Sequence, residues 1–173
     1  MQIVVPEEFR YLYVQDESRP VVKIPADVLR TKAAEVDKMT KRTTFLIDDM
    51  MRIMRQANGV GIAAPQVGVS ARVIVIAPED VRPMALINPV IVKQEGEQVS
   101  EEGCLSIPGL YGMVKRAQYV EVEALDRRGR EVTLELEGRP AVIVQHEVDH
   151  LDGVLFIDKV QMETLHWMDP DAR

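Results

Sequence analysis

The sequence places two of its three histidines around a glutamate, in the order His146-Glu147-x-x-His150. Residues four apart on a helix are neighbours on one face, so both imidazoles can reach one metal ion if this segment is helical. Glu147 lies beside them, at a position suited to taking a proton from water rather than to binding the metal. Because buried polar groups without partners are costly, this set within an apolar segment indicates a metal site rather than a packing feature.

A catalytic metal of this kind usually takes three protein ligands and leaves one position for water, so a third ligand is needed. Phe156 occupies the position at which one metalloprotease class carries a third histidine. Glu163 has little chain after it to build a site, and His166 lies in the tail, where a surface role is the simpler interpretation. Cys104 is a further ligand candidate, although a buried apolar role and a role as nucleophile both stay open for it.

A third segment, residues 59–68, reads Gly-Val-Gly-Ile-Ala-Ala-Pro-Gln-Val-Gly. Its small residues let the backbone approach a ligand closely, and the Gln66 amide could donate a hydrogen bond to a developing oxyanion. A tight loop between a helix and a strand explains the same residues. Taken alone, the segment favours this structural interpretation.

Two helices are predicted to position these groups. Between Thr40 and Asn58, apolar residues recur at spacings of three and four, and their Met-rich face predicts core packing. The segment that carries the histidine pair begins near Pro140 and ends before Gly153. These boundaries favour a buried central helix of about three turns over a strand at 142–144.

The middle of the chain carries the strand signals. Residues 73–76 are all β-branched, which predicts a strand buried on both faces, and Asn88-Pro89 is expected to separate residues 90–92 as a second short strand. Residues 119–126 and 131–137 alternate around a turn, which predicts a hairpin with one wet face. The predicted fold class is therefore α+β, with antiparallel β-sheets around a central helix that bears the histidine pair.

The two ends of the chain have weaker patterns. Residues 1–20 are predicted as an N-terminal arm with a short strand at 11–14, and residues 21–173 as a single catalytic domain. A short helix is expected at 25–30, where a proline fits the first turn. A helical turn or two is expected at 162–168.

Composition narrows the function classes. A net charge of −7 among 173 residues and a pI of about 5.1 argue against a nucleic-acid-binding surface, which needs clustered Lys and Arg. One cysteine cannot form an intramolecular disulfide. The N-terminus lacks a secretion signal, and no stretch approaches the roughly 18 apolar residues of a membrane span. These features predict a cytoplasmic protein that neither crosses a membrane nor binds nucleic acid directly.

Three segments together resemble the signatures of the peptide deformylase family, in the family's order. They are residues 59–66, 102–106 and 145–150, and no motif residue is missing. The resemblance extends from about Val21 to about Val160. It implies a metal-dependent hydrolase that removes the N-formyl group from the initiator methionine of newly made polypeptides and releases formate. The implied reaction is attack of metal-bound hydroxide on the formyl carbonyl.

The same resemblance implies a metal site. Cys104, His146 and His150 would hold one divalent ion per chain, and Glu147 would act as general base and then as the acid that protonates the departing amine. The expected ion is ferrous iron, with zinc, nickel or cobalt as alternatives. A thiolate beside ferrous iron makes oxidation an expected route of inactivation.

Substrate contacts are implied by position in the motifs. Gln66 and the backbone N–H of Leu105 would stabilise the tetrahedral intermediate, and Gly61 would bond to the substrate backbone. Val60, Val142 and Ile143 would line the pocket for the methionine side chain. Glu102 would not bind the metal but would fix the local structure of the site. The implied partners are N-formylmethionyl nascent peptides, met close to the ribosome. The chain departs from many members in its arm and in its short segment after Val160, where they carry a longer helix.

Two other functions are compatible with the histidine motif. A zinc endopeptidase with a different third ligand would keep its metal after Cys104→Ser and would cut peptides internally. A non-catalytic module that binds peptide N-termini would be favoured if Glu147 or Gln66 were replaced, and both are present.

Overall fold

The computed structural model describes residues 1–172, which contain two α-helices and eight β-strands. Helix α1 spans Lys41–Gln56 and helix α2 spans Arg139–Leu151. In chain order the strands are β1 Gly61–Ala63, β2 Val73–Ile76, β3 Met84–Glu95, β4 Gln98–Cys104, β5 Ile107–Arg116, β6 Tyr119–Leu125, β7 Glu131–Glu137 and β8 His166–Trp167.

The strands form two sheets in which every pairing is antiparallel. The first sheet has the order β1-β2-β3-β6-β7, and the second has the order β4-β5-β8. Strands β6 and β7 pair residue for residue from Tyr119↔Glu137 to Leu125↔Glu131, so the predicted hairpin is confirmed. The architecture is the predicted α+β class.

Strand β2 is an inner strand of the five-stranded sheet, and its four β-branched residues are covered on both faces. Its odd-numbered residues pack with the apolar face of α1, including Met50 and Met54, while its even-numbered residues pack on the side of α2. All four residues are fully buried. The Met-rich face of α1 is therefore core, as its spacing predicts.

Helix α2 lies between the two sheets, and most of its residues are buried. Pro140 lies in its first turn, and Gly153 follows its end with a φ of 73°, a left-handed conformation that favours glycine. One side of the helix packs on the five-stranded sheet through residues such as Val144 and Val148. Its other side faces β4 and β5, where the polar groups of the histidine motif are found.

The expected break at Asn88-Pro89 is wrong, because β3 runs without interruption across it. The pairing of β3 with β6 shifts register between Ile87 and Val90, and Asn88 adopts a φ of 51°. A bulge therefore absorbs the proline, which cannot donate to a regular ladder. The Asn88 side chain bonds both the N–H and the C=O of Val36 at 2.9 Å and fixes the bulge in place.

The chain ends also differ from prediction. The arm forms a 3₁₀ helix at Glu7–Tyr13 instead of a strand at 11–14, and Leu12 on it is buried. The tail has the expected helical turn at Met162–Thr164 but then adds strand β8, which pairs with β5. The short helix expected near residue 27 is present at Asp27–Arg30. Among the described residues, no helix combines the length and the apolar character that a membrane crossing requires.

Candidate metal centre

The two histidines of α2 lie one turn apart and face the end of β4. Their ring centroids are 5.0 Å apart. Cys104 closes β4 just after an irregularity in its pairing with β5, which brings its thiol to the helix. One ligand atom each from Cys104, His146 and His150 lies within 4.8 Å of the other two, and the distance from Cys104 Sγ to His150 Nε2 is 3.4 Å. These three residues are called the metal-site cluster below.

The other candidates for a third ligand lie elsewhere. Phe156 packs its ring on His146, with 6.4 Å between the centroids. His166 is on β8, where its Nε2 lies 3.6 Å from a carboxylate oxygen of Glu101. Glu163 is in the 3₁₀ turn of the tail. Among the described residues, the group that could hold a metal is the cluster with Cys104.

The donor chemistry of the cluster fits a divalent transition metal. One thiolate and two imidazoles form a set that zinc or ferrous iron accepts, with room for a further ligand. Burial lowers the pKa of His146, but hydrogen bonds to Cys104 and Glu102 and the charge of Glu147 outweigh it and raise that pKa well above its usual value. The surrounding anions thus favour positive charge at this point, and a bound cation would take the place of the proton.

Glu102 determines which nitrogen of His146 is available. The distance from Glu102 Oε1 to His146 Nδ1 is 2.8 Å. Burial raises the pKa of the Glu102 carboxyl, but hydrogen bonds from Arg116 and His146 hold it at about 2. The ionised carboxylate can only accept, so Nδ1 carries the proton and Nε2 keeps its lone pair for a metal. Glu102 therefore supports the site, although it is not in the cluster.

Three residues that the sequence motifs do not indicate, Arg116, Asp149 and Lys159, complete this support. Arg116 donates to both oxygens of Glu102, at 2.7 and 2.8 Å, and to Asp149 at 2.7 Å. Lys159 Nζ then lies 2.9 Å from an Asp149 oxygen. The Arg116 side chain is only 2% exposed. Its signal in the sequence is its register, since it occupies an inward position of β5, two residues after buried Val114.

Glu147 lies against the glycine-rich segment. A Cβ atom at Gly61 would lie 2.9 Å from Glu147 Oε1, so only glycine leaves room for this carboxylate. Burial raises the pKa of Glu147 to about 7, despite the opposing charges of His146 and Arg116. Glu147 Oε1 lies 4.0 Å from His146 Nε2, and Oε2 is buried without a hydrogen-bond partner among the described residues. This oxygen is an acceptor that no described group uses.

Gln66 has a fixed amide orientation. It lies in the 3₁₀ helix Ala64–Val67, which follows β1 directly. Its Oε1 accepts from the Ala63 N–H at 3.0 Å, so its Nε2 must be the donor. That Nε2 lies 3.2 Å from Ser106 Oγ and 3.7 Å from Cys104 Sγ. A hydrogen-bond donor is therefore held beside the metal-site cluster.

A cleft of about 930 Å³ opens onto this arrangement. Ten of the eleven site residues expected from the sequence line it: Val60, Gly61, Gln66, Glu102, Cys104, Leu105, Val142, Ile143, His146 and Glu147. The eleventh, His150, is 1% exposed and lies behind Cys104. Val142 and Ile143 are almost fully buried, while Val60 is 38% exposed at the rim.

The chain is similar to known proteins in sequence and in structure. Residues 18–165 match the model of the family described as polypeptide deformylase. The peptide deformylase of Desulfitobacterium hafniense is 51% identical over 141 residues, which are 82% of this chain and 93% of that protein. The peptide deformylase of Halothermothrix orenii is 54% identical over 139 residues, covering 80% of this chain and 90% of that protein.

Solved structures show the same likeness. A crystal structure of a peptide deformylase from Legionella pneumophila superposes with a TM-score of 0.79 at 43% identity, covering 83% of this chain and 86% of that one. The peptide deformylase from Synechococcus elongatus, in complex with actinonin, gives a TM-score of 0.79 at 41% identity. That match covers 82% of this chain and 79% of the other.

Proposed function

This chain belongs to the polypeptide deformylase family, and from that premise we propose which of its residues perform the reaction. It is a metal-dependent hydrolase that removes the formyl group from N-formylmethionine of nascent peptides. One observation carries the assignment of residues. Three ligand atoms of Cys104, His146 and His150 converge within 4.8 Å, beside the buried carboxylate of Glu147.

The metal-site cluster would hold one divalent ion, for which we propose ferrous iron, with zinc, nickel or cobalt as alternatives. When bound, the ion acts as a Lewis acid that polarises the formyl carbonyl and lowers the pKa of water. Glu102 keeps His146 in the tautomer that such binding needs, and Arg116 keeps Glu102 in place.

Glu147 is assigned the proton transfers. Its carboxylate accepts a proton from the attacking water as the bond from the water oxygen to the formyl carbon forms. It then gives that proton to the nitrogen of methionine as the C–N bond breaks, which leaves formate and a free amine. A carboxyl whose pKa is about 7 is suited to both directions of transfer at neutral pH.

Gln66 and Leu105 are assigned to the oxyanion. The Gln66 Nε2 donor is held beside Cys104 by the bond that Gln66 Oε1 accepts from Ala63. Leu105 follows Cys104 directly and lines the same cleft, so we assign its backbone N–H as the second donor. Two fixed donors in a partly dry cleft stabilise charge as it develops on the formyl oxygen, without reorganisation during the reaction.

The methionine side chain and the peptide backbone are assigned to the walls of the cleft. Val142 and Ile143 on α2, with Val60 at the rim, provide apolar surface for an unbranched thioether. Gly61 lines the same cleft, and we assign its backbone to a hydrogen bond with the backbone of the substrate. We also propose that residues 21–173 act as one catalytic domain to which residues 1–20 are attached.

The substrate supports a proposal about where in the cell the enzyme works. Formylmethionine stands at the start of a chain that is still being made, so we propose that the enzyme works in the cytoplasm and close to the ribosome. Co-sedimentation of the purified protein with ribosomes that carry a short formylated chain would support this placement. Equal recovery without ribosomes would contradict it.

The function is tested by formate release under anaerobic conditions. The protein is loaded with ferrous iron and given a short formyl-methionyl peptide, beside a Glu147→Ala variant with the same metal content. The expected result is formate release that depends on the metal and falls by about 10²–10⁴-fold without Glu147. Folded, metal-loaded protein that releases no formate would contradict the proposal, and internal cleavage of peptides would point to an endopeptidase instead.

A further inference from the structure

The arm and the tail of this chain meet at one end of the substrate cleft. Residues 7–13 of the arm and residues 166–172 of the tail, here called the terminal clasp, lie outside the segment 18–165 that matches the family. Leu12 of the arm and Pro170 and Asp171 of the tail line the same cleft as the metal-site cluster. Part of the cleft wall is therefore built from segments that the family match does not cover.

Aromatic and backbone contacts hold the clasp together. Phe9 stacks on Trp167, with 5.4 Å between ring centroids, and Trp167 pairs with Leu110 in β5. The Tyr13 hydroxyl donates to the carbonyl oxygen of Pro108 at 3.0 Å. The clasp therefore sits on the first residues of β5, which follow Cys104 after a short turn.

The clasp and its neighbours fix Arg19 at the cleft. The guanidinium of Arg19 lies 5.4 Å from the centre of the Tyr11 ring on its face, a favourable position for a cation. Asp16 Oδ1 accepts from the backbone N–H groups of Ser18 and Arg19, at 2.8 and 3.1 Å, and so closes a tight turn. Gln56 Nε2 of α1 donates to the Ser18 carbonyl at 3.4 Å and ties this turn to the body of the protein.

Two cations face the cleft from this side. Arg19 and Lys23 both line it, and neither has a carboxylate within 4.0 Å among residues 1–172. Burial and then repulsion by the charge of Arg19 lower the pKa of Lys23, while the carboxylate of Asp16 raises it. An anion between or beside them would relieve this repulsion.

The carboxylates of the cleft leave this positive charge in place. Glu102 is paired with Arg116, Glu147 belongs to the metal centre, and Glu101 lies near His166. Asp171 on the tail is the exception, since it lines the cleft without an ion pair among the described residues. Asp16 also lies near both cations, so the sign of the peptide preference depends on Arg19 and Lys23 against Asp171 in the cleft and Asp16 beside it.

We propose that Arg19 is a specificity-determining residue, which binds a carboxylate of the substrate peptide downstream of the formylmethionine. The carboxylate can be an acidic side chain after the methionine or the C-terminus of a very short peptide. This inference rests on the proposed function, since it concerns which formylated peptides the same centre hydrolyses.

The test compares peptides that differ in one charge. Formyl-Met-X-Ser-amide and formyl-Met-Ala-X-amide are prepared with X as Glu, Gln or Lys, and kcat and KM are measured from formate release. The protein is expected to prefer Glu over Gln in one of the series by about two- to fivefold in kcat/KM, the size of an exposed ion pair. Most of the difference should lie in KM. It should shrink in about 0.5 M salt, because the Debye length is then only a few ångströms and an exposed ion pair is weakened.

Variants assign the preference to Arg19. In Arg19→Gln the Glu/Gln ratio in kcat/KM should fall to about one, because the Glu peptide loses its cationic partner. Arg10→Gln removes the same charge from an exposed position of the arm that does not line the cleft, and it should keep the ratio. A formyl-Met-Gln-Ser peptide with a free carboxylate, compared with its amide, shows whether the C-terminus is the group that Arg19 binds.

The outcomes separate this inference from the function on which it rests. An unchanged Glu/Gln ratio in Arg19→Gln, or a preference for Lys, would overturn the proposal while turnover of the Gln peptide keeps the function intact. If no peptide of either series releases formate, the proposed function itself fails. Matching thermal unfolding of the two variants would show that both remain folded.

Discussion

The metal centre and the terminal clasp are built in opposite ways around the same cleft. The centre is held by a chain of charged groups that starts at exposed Lys159 and runs through Asp149 to buried Arg116 and Glu102 and then to His146. The clasp is held by ring stacking and by single hydrogen bonds to β5, between residues near opposite ends of the sequence. The first arrangement is rigid because each charge requires its partner, whereas the second can loosen without leaving a charge buried alone.

This difference separates two tasks of the molecule. The position of the reacting groups depends on the centre, which falls within the segment shared with the family. Part of the outer cleft wall depends on the clasp, which falls outside that segment, and Tyr11 of the clasp contacts Arg19. Substitutions in the centre should therefore mainly change the rate of formate release and the stability of the fold, whereas substitutions in the clasp should have smaller effects on both.

The largest effect is expected from Gln66→Glu, which tests how strictly the centre positions a donor. The variant keeps an acceptor for the Ala63 N–H but loses the Nε2 donor beside Cys104. We expect kcat for formate release to fall by about 10²–10³-fold, the usual cost of removing one oxyanion donor. The rates are compared at equal metal content. A variant within about threefold of the parent would show that Gln66 does not stabilise the oxyanion.

The second-largest effect is expected from Arg116→Met, and it concerns the stability of the fold. The substitution leaves Glu102 buried without its bidentate partner, which should lower the free energy of unfolding by about 3–5 kcal/mol in urea denaturation. Arg30→Met is the matched control, because the Arg30–Asp158 pair is 41% and 32% exposed. Its loss should cost about 0–1 kcal/mol. Equal losses in the two variants would remove the distinction between buried and exposed pairs.

The smallest effect is expected from Phe9→Ala in the clasp. Loss of the stack on Trp167 should cost about 1–2 kcal/mol and increase cleavage of the tail by a protease. The rate with a neutral formyl-methionyl peptide should stay within about twofold, because no group of the metal centre touches Phe9. A large fall in that rate would show that the clasp positions the reacting groups, and it would contradict the separation of tasks between the metal centre and the clasp.

The chemistry of the centre was readable from the sequence because its residues carry local signals. Pro140 and Gly153 bound the helix, and the spacing of His146 and His150 places both on one face. Cys104 was harder, since residue types alone left it between ligand, nucleophile and core residue. Only its place among three family-like segments indicated the role that the geometry then supported.

The supporting and peripheral contacts were not readable in the same way. Arg116 reaches Asp149 across 33 positions of the sequence, and no motif links the two. Phe9 and Trp167 are separated by nearly the whole chain, and β8 is too short to show any alternation. The break expected at Asn88-Pro89 failed because the clamp from Asn88 to Val36 is also a distant contact. Local patterns identify elements, whereas such pairings depend on the assembled fold.

Strand β2 has a consequence for how the molecule opens. Its backbone pairs with β1 on one side and β3 on the other, and α1 and α2 cover its two faces. Opening free energies range from near zero at frayed segments to the global value in core strands, so its amide hydrogens should exchange with deuterium only through global unfolding. Gly61 is the first residue of β1, which pairs with β2. Gln66 follows β1 in the 3₁₀ helix Ala64–Val67. Gly61 and Gln66, which we propose to contact the substrate, are therefore attached to the part of the protein whose amide hydrogens should exchange most slowly.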